Sequence, residues 1–198
     1  MKTVAILLTD DRKVELREID IPEVSDDEIL VECEANGICM LEVSLFTGAE
    51  RFGYPLPLGH EGIGRVIQIG KNVKRVKEGD TVHCNSWARH QIIRESAIKL
   101  FETRPEDVAT VLVEPVSCIV SALFSYNIMP GDRVLVLGAG YMGLLNTIGL
   151  AHSPISELVV TDLRDSNLKV AQSLGATRII NGATDQGRSE IEALSRVG

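Results

Sequence analysis

Val134-Leu-Val-Leu-Gly138-Ala-Gly140-Tyr-Met-Gly143 is the stretch that decides the fold, because Asp162 follows 24 positions after Gly138, at the end of the apolar run Leu158-Val-Val-Thr161. A buried strand feeds a tight glycine turn, the turn opens a helix, and an acid stands at the tip of the next strand. That order of elements is the dinucleotide-binding βαβ unit. The first glycine permits the turn, the second lets backbone approach a pyrophosphate, and the third lets helix and strand pack closely. The N–H groups that open the helix offer donors and partial positive charge to the phosphates. A glycine turn alone can be purely conformational; strand, turn, helix, strand and acid in order are more specific. Gly138, Gly140, Tyr141, Met142, Gly143 and Asp162 are the expected cofactor-binding residues. The Asp162 carboxylate would accept from a ribose 2′-hydroxyl and repel a 2′-phosphate, which favours NAD over NADP; Arg164, two residues on, is the counterweight, since it could pair with such a phosphate.

Toward the C-terminus the pattern continues as α–β–α: Tyr141 to Ala151 and Ser166 to Leu174 as helices, the second closed by Gly175, Arg178 to Ile180 as a strand, and Ser189 to Val197 as a last helix. These supply strands one to three of a sheet ordered 3-2-1-4-5-6 and nothing more. The expectation is a chain cut short within that fold, or an edge of the Val134–Leu137 strand covered by something else. Toward the N-terminus, Met129-Pro130-Gly131-Asp132 marks a boundary. Before it the chain is β-rich: Thr3 to Leu8 and Val14 to Ile19 flank a polar turn at Asp10 to Lys13, and Glu28 to Ala35, Gly62 to Ile69 and Thr81 to His83 follow. From about Pro105 the period changes, with Ala109, Leu112, Val113, Val116, Ile119, Val120 and Leu123 at helical spacing and Pro115 bending or separating one or two helices. The fold class is mixed α/β: a β-rich domain over residues 1–125, then the first half of a Rossmann doubly wound parallel sheet over 126–198.

Composition narrows the partners. The 198 residues carry 28 acidic and 20 basic side chains, net −8, which disfavours nucleic acid and anionic membrane surfaces. No secretory signal is expected at the N-terminus, and no stretch is expected to approach the roughly 18 apolar residues of a membrane span. Cys33, Cys39, Cys84 and Cys118 form no compact framework and no CxxC pair, which reads as reduced thiols in a cytoplasmic protein.

Three groups in the first half have the composition of a catalytic zinc site: the thiol of Cys39, the imidazole of His60 and the carboxylate of Glu114, with a fourth position for water or substrate. Each also has an ordinary reading, since a single cysteine is most often a small buried hydrophobe and a histidine beside glycine a satisfied turn residue. Trp87, the single tryptophan, falls in a loop where it would either border a substrate pocket or bury itself against a helix. His83, His90 and His152 read as surface or satisfied histidines.

Gly59-His60-Glu61-Gly62-Ile63-Gly64 with Gly70 and Val73, the Gly37-Ile38-Cys39 segment 21 residues before His60, Val76 to Val82, and Pro130-Gly131-Asp132-Arg-Val together resemble the zinc-containing medium-chain alcohol/polyol dehydrogenases, in the branch like sorbitol dehydrogenase. The resemblance implies a GroES-like catalytic domain before the Rossmann part. It makes Cys39 and His60 zinc ligands, with Glu114 of Glu114-Pro115 as the third and Cys118, one turn further, as its rival. It gives Glu61 the part of a carboxylate beside the metal that can exchange with water, and Glu42 that of the acid orienting His60. Where the family carries a relay Thr or Ser, this chain has Leu41, so water, Ser44 or a substrate hydroxyl would move the proton. The family's four-cysteine lobe is missing from Thr81 to Ala88, which implies one catalytic zinc and no structural zinc. The implied activity is hydride transfer between NAD and a secondary alcohol, a polyol or sugar-like compound, or its ketone. Homo-oligomers are compatible with it, although related enzymes pair through a sheet edge absent from this sequence. A zinc-free reductase of the same fold and a nucleotide- and metal-binding fragment without turnover are the competing readings.

Overall fold

The computed structural model describes residues 1–9, 12–111 and 113–196. Asp10 and Asp11 of the expected turn, Leu112 of the expected helical pattern and Val197 of the expected last helix lie outside them. Contacts divide the chain into two compact units, Met1–Glu114 and Pro115–Gly198. The expected domain boundary, between residues 125 and 126, lies further along the chain.

The first unit is built on two antiparallel sheets. One has the order β2-β1-β4, from β1 (Lys2–Leu8), β2 (Val14–Asp20) and β4 (Leu56–Pro57). The other has the order β6-β5-β3-β7, from β3 (Glu28–Asn36), β5 (Gly62–Ile69), β6 (Thr81–Cys84) and β7 (His90–Arg94). Alternation along β3 and β5 sends Ile29, Val31 and Val66 into one core with Val73, Val76, Val82 and Ile98. A smaller cluster of Leu8, Leu45 and Leu58 takes Trp87 and Tyr54 against it.

Strand β4 and one helix were not foreseen. Helix α1 (Met40–Thr47) follows Cys39 directly and ends at Gly48 in the left-handed region, φ +78°. Its apolar residues show no single face, so periodicity could not reveal it.

Helix α2 (Val113–Ser125) is one helix rather than two, because Pro115 sits in its first turn, where the missing N–H costs nothing. With the turn before it, Val108–Ser125 is long and apolar enough, at mean hydropathy 1.9, to pass for a membrane span, which corrects the expectation that no stretch comes near one. The helix proper has 13 residues and reaches about 20 Å, short of the ~30 Å hydrocarbon layer.

The second unit holds a three-stranded parallel sheet, order β10-β9-β8, from β8 (Arg133–Leu137), β9 (Glu157–Asp162) and β10 (Arg178–Asn181). This is the 3-2-1 half-sheet expected. Helices α3 (Tyr141–Ala151), α4 (Asp165–Ser173) and α5 (Asp185–Ser195) connect and follow the strands. Leu150, Leu158, Val160 and Ala171 form its core. Helix α5 starts four residues earlier than read, because Thr184 caps it by accepting from the Gly187 N–H at 2.9 Å.

Candidate active site

The first site begins with a backbone problem. The N–H groups at the start of α1 lack helical partners, and Glu42 answers one of them: its Oε2 accepts from the Cys39 N–H at 3.0 Å. The other oxygen reaches a different part of the chain, accepting from the Gly59 N–H at 3.2 Å and pairing with His60 Nδ1 at 2.8 Å. Glu42 is buried. In the neutral tautomer that points its proton at this carboxylate, Nε2 carries the lone pair. That lone pair faces Glu61, whose Oε1 lies 3.8 Å away.

Two overlapping sets of donor atoms result, each within 4.8 Å: Cys39, Glu42 and His60, and His60, Glu61 and Glu114. Among the described residues, the expected trio of Cys39, His60 and Glu114 does not form a set of its own. Glu61 lies near both halves, since its charge acts on the Cys39 thiol and it shares the second set with His60. Burial pushes the Cys39 thiol up, and the charges of Glu61 and Glu42 push the same way. Cys118 is exposed and enters neither set.

The donors are those of a zinc site: one thiol, one imidazole nitrogen already oriented from behind, and two carboxylates. Glu61 is 7% exposed and shares a 4.8 Å cluster with Glu114, a placement of like charges that a divalent cation offsets. The residues present fit the metal.

Sequence reasoning passed over two neighbours. Asn36, at the end of β3, accepts from the Glu61 N–H at 3.2 Å and from the indole N–H of Trp87 at 3.1 Å. His83, read as a surface or satisfied histidine, is the satisfied kind: it is buried with its Nε2 3.2 Å from the His60 carbonyl; burial lowers its pKa, and the Lys99 charge adds to that. An asparagine at a strand end reads as a turn former, and nothing in its spacing pointed at the histidine loop.

The second site lies in the other unit. Gly138 adopts φ +98°, and space is open where a Cβ would stand on Gly138 or Gly140. A Cβ on Gly143 would fall 1.8 Å from the Gly138 carbonyl oxygen. Helix α3 starts at Tyr141 with Gly140 as its cap, so Tyr141, Met142 and Gly143 form the first turn. Beside the turn is a cavity of about 610 Å³ lined by Gly138, Thr161, Asp162, Leu163, Arg164, Gly182 and Ile191. Open glycine backbone, a helix N-terminus and this cavity fit a dinucleotide.

Asp162 departs from the simple expectation. Its oxygens accept from the Ala139 N–H at 2.9 Å, the Arg164 N–H at 2.9 Å and the Asn167 amide at 3.3 Å. A carboxylate offers about four acceptor positions, so about one remains for a ribose hydroxyl. Burial opposes its ionisation, but the Arg164 and Ala139 donors outweigh it and hold the carboxyl below its ordinary value.

Residues 25–103 match the family model described as the alcohol dehydrogenase GroES-like domain. Sorbitol dehydrogenase of Bombyx mori is 26% identical over 84% of this chain and 58% of its own length. D-xylulose reductase of Saccharomyces cerevisiae is 29% identical over 89% of this chain and 60% of its own. Residues 25–103 thus match an alcohol dehydrogenase domain, and most of the chain is similar to zinc-type alcohol/polyol dehydrogenases. Among solved structures, a protein described as a short chain alcohol dehydrogenase from Escherichia coli CFT073, complexed with NADH, superposes with a TM-score of 0.77 at 24% identity, over 97% of this chain and 66% of that one. The chain thus spans about three fifths of the curated relatives it matches. The segment that matches the GroES-like domain carries Cys39 and His60, and the parallel half-sheet carries the glycine turn.

Proposed function

We propose that this chain carries the metal-binding and nucleotide-binding parts of a zinc-dependent dehydrogenase that moves a hydride between a secondary alcohol, polyol or sugar-like, and NAD. The observation that carries the reading is the His60 ring, held at Nδ1 by Glu42 and clustered with Glu61 and Glu114, with Cys39 in the adjoining set.

In this reading Cys39, His60 and Glu114, all within residues 1–125, hold zinc, and the glycine turn and Asp162, within 126–198, hold NAD. Zinc held there would supply Lewis acidity for loss of the alcohol proton, and NAD held at the glycine turn would supply the hydride acceptor. Glu42 keeps the imidazole in the tautomer that presents Nε2, and fixes the Cys39 backbone in the same act. Glu61 stands between thiol and imidazole, where it exchanges with water. Leu41 is 41% exposed and has no hydroxyl, so the alcohol proton leaves through water, Ser44 or a second substrate hydroxyl. Asp162 supports NAD over NADP, because a 2′-phosphate would meet a carboxylate held in its charged form. The four free thiols support a reducing compartment, the cytoplasm.

Leu41 favours a second reading, a zinc-free reductase of the same fold. Zinc per chain separates the two. About one zinc in the wild type, lost in Cys39→Ser with His60→Ala, is the expected result. A carefully prepared wild type that takes up no zinc would overturn the proposal.

A further inference from the structure

Trp87 lies in the short connection between β6 and β7, yet it touches both stretches that carry the metal-binding residues. Its indole N–H donates to the Gly37 carbonyl at 2.9 Å and to Asn36 Oδ1 at 3.1 Å, two and three positions before Cys39. On the other side its backbone N–H donates to the Leu58 carbonyl at 2.7 Å. The ring lies against Gly59, where a Cβ would fall 2.3 Å from Trp87 Cδ1, so glycine at φ +98° is what allows the contact. The next residue is His60. Asn36 closes the loop, since its Oδ1 also accepts from the Glu61 N–H and its Nδ2 donates to the Ser86 carbonyl at 3.2 Å.

We infer that Trp87 and Asn36 form a clamp that positions the metal-binding residues, fixing the distance between the Cys39 stretch and the His60-Glu61 stretch. The inference rests on the zinc reading above. Trp87 bonds the Gly37 and Leu58 backbone and Asn36 the Glu61 backbone, so both act through the backbone of the two stretches. The two ligand-bearing stretches are far apart in sequence and meet at a site dense in carboxylate, which by itself pushes them apart. A rigid indole bonded to one stretch and stacked on the other resists that, at the cost of few rotatable bonds.

The test uses the full chain as wild type, Trp87→Phe and Asn36→Ser. Trp87→Phe keeps an aromatic ring beside Gly59 while deleting the N–H and shrinking the ring; Asn36→Ser removes the shared acceptor and leaves the indole whole. Zinc affinity is read by chelator competition, the coordination geometry by the visible absorption of the cobalt(II)-loaded chains, and folding by thermal melts. Each variant is expected to bind zinc about tenfold more weakly with an altered cobalt spectrum, the range found when groups that orient metal ligands are removed. The double variant should add little to the worse single one, because both act through one network. In the wild type, zinc should change Trp87 fluorescence and saturate at one equivalent. If Trp87→Phe does not fold, Asn36→Ser decides. Wild-type affinity and an unchanged cobalt spectrum in the folded variants would overturn the clamp and leave the zinc reading standing. A wild type that binds neither metal would overturn the zinc reading and the clamp with it.

Discussion

The Glu42 carboxylate is shared among three groups from two stretches of chain, the Cys39 N–H, the Gly59 N–H and His60 Nδ1. Glu42→Gln keeps the length but loses the charge that holds the imidazole proton on Nδ1, so zinc affinity should fall about 10- to 100-fold in a competition titration. Glu42→Asp, one methylene shorter, cannot span all three groups and should lose the helix-cap bond or the histidine, with an intermediate loss. A Glu42→Gln chain that binds zinc as tightly as wild type would remove Glu42 from the site. Asp162 makes a pH-dependent prediction of the opposite kind. Its carboxyl is held below the ordinary value of 3.8, so the native state binds fewer protons there than the unfolded chain. Its stabilisation is therefore complete above 3.8 and disappears as pH falls through the native value. Asp162→Asn should cost about 1 kcal/mol near neutral pH, and the gap to wild type should close as the solution is acidified. A gap that is independent of pH down to 2 would show that the charge at Asp162 does not contribute.

At the scale of elements, the glycine turn and α1 show what a sequence reveals and what it withholds. The Gly138 to Gly143 turn was legible because each glycine answers a separate steric demand, and the flanking apolar runs place it between strand and helix. The demands predict unequal costs. Gly138→Ala meets only the strain of φ +98° in open space, about 1 kcal/mol, whereas Gly143→Ala drives a Cβ against the Gly138 carbonyl and should cost several times more. Denaturant melts of the second unit, followed by circular dichroism, check the order; equal costs would mean the turn relaxes freely. Helix α1 was not legible, since Met40, Leu41, Val43, Leu45 and Phe46 give no helical face and the helix is fixed by its ends, through Glu42 and Gly48. The spacing of Cys39 and Glu42, an N-cap and its third helical residue, was the one local signal available. For the same reason the ligand types at Cys39, His60 and Glu114 could be picked from composition and resemblance, while the bonds of Asn36, His83 and Trp87 could not. These join residues 23 to 51 positions apart and follow from strand register, which no local pattern encodes.

On the scale of the whole molecule, both metal-donor sets found among the described residues fall within Met1–Glu114, and the glycine turn with its cavity within Pro115–Gly198. Ligands that bind the native state stabilise what they bind, by about 2.7 kcal/mol at a hundredfold excess over Kd. Zinc should therefore raise the unfolding midpoint of the first unit, and NAD that of the second. The chain supplies its own reporter for the separation, because its single tryptophan, Trp87, belongs to the first unit. Tryptophan fluorescence should register the zinc effect directly, while amide exchange in β8, β9 and β10 should register NAD. Protection by NAD should centre on Gly138 to Gly143, where the open backbone would be covered, and fade toward α5. Zinc that protected β8 to β10 as strongly as it protected β3 and β5 would show that the two units unfold as one, and a single midpoint would then describe the chain.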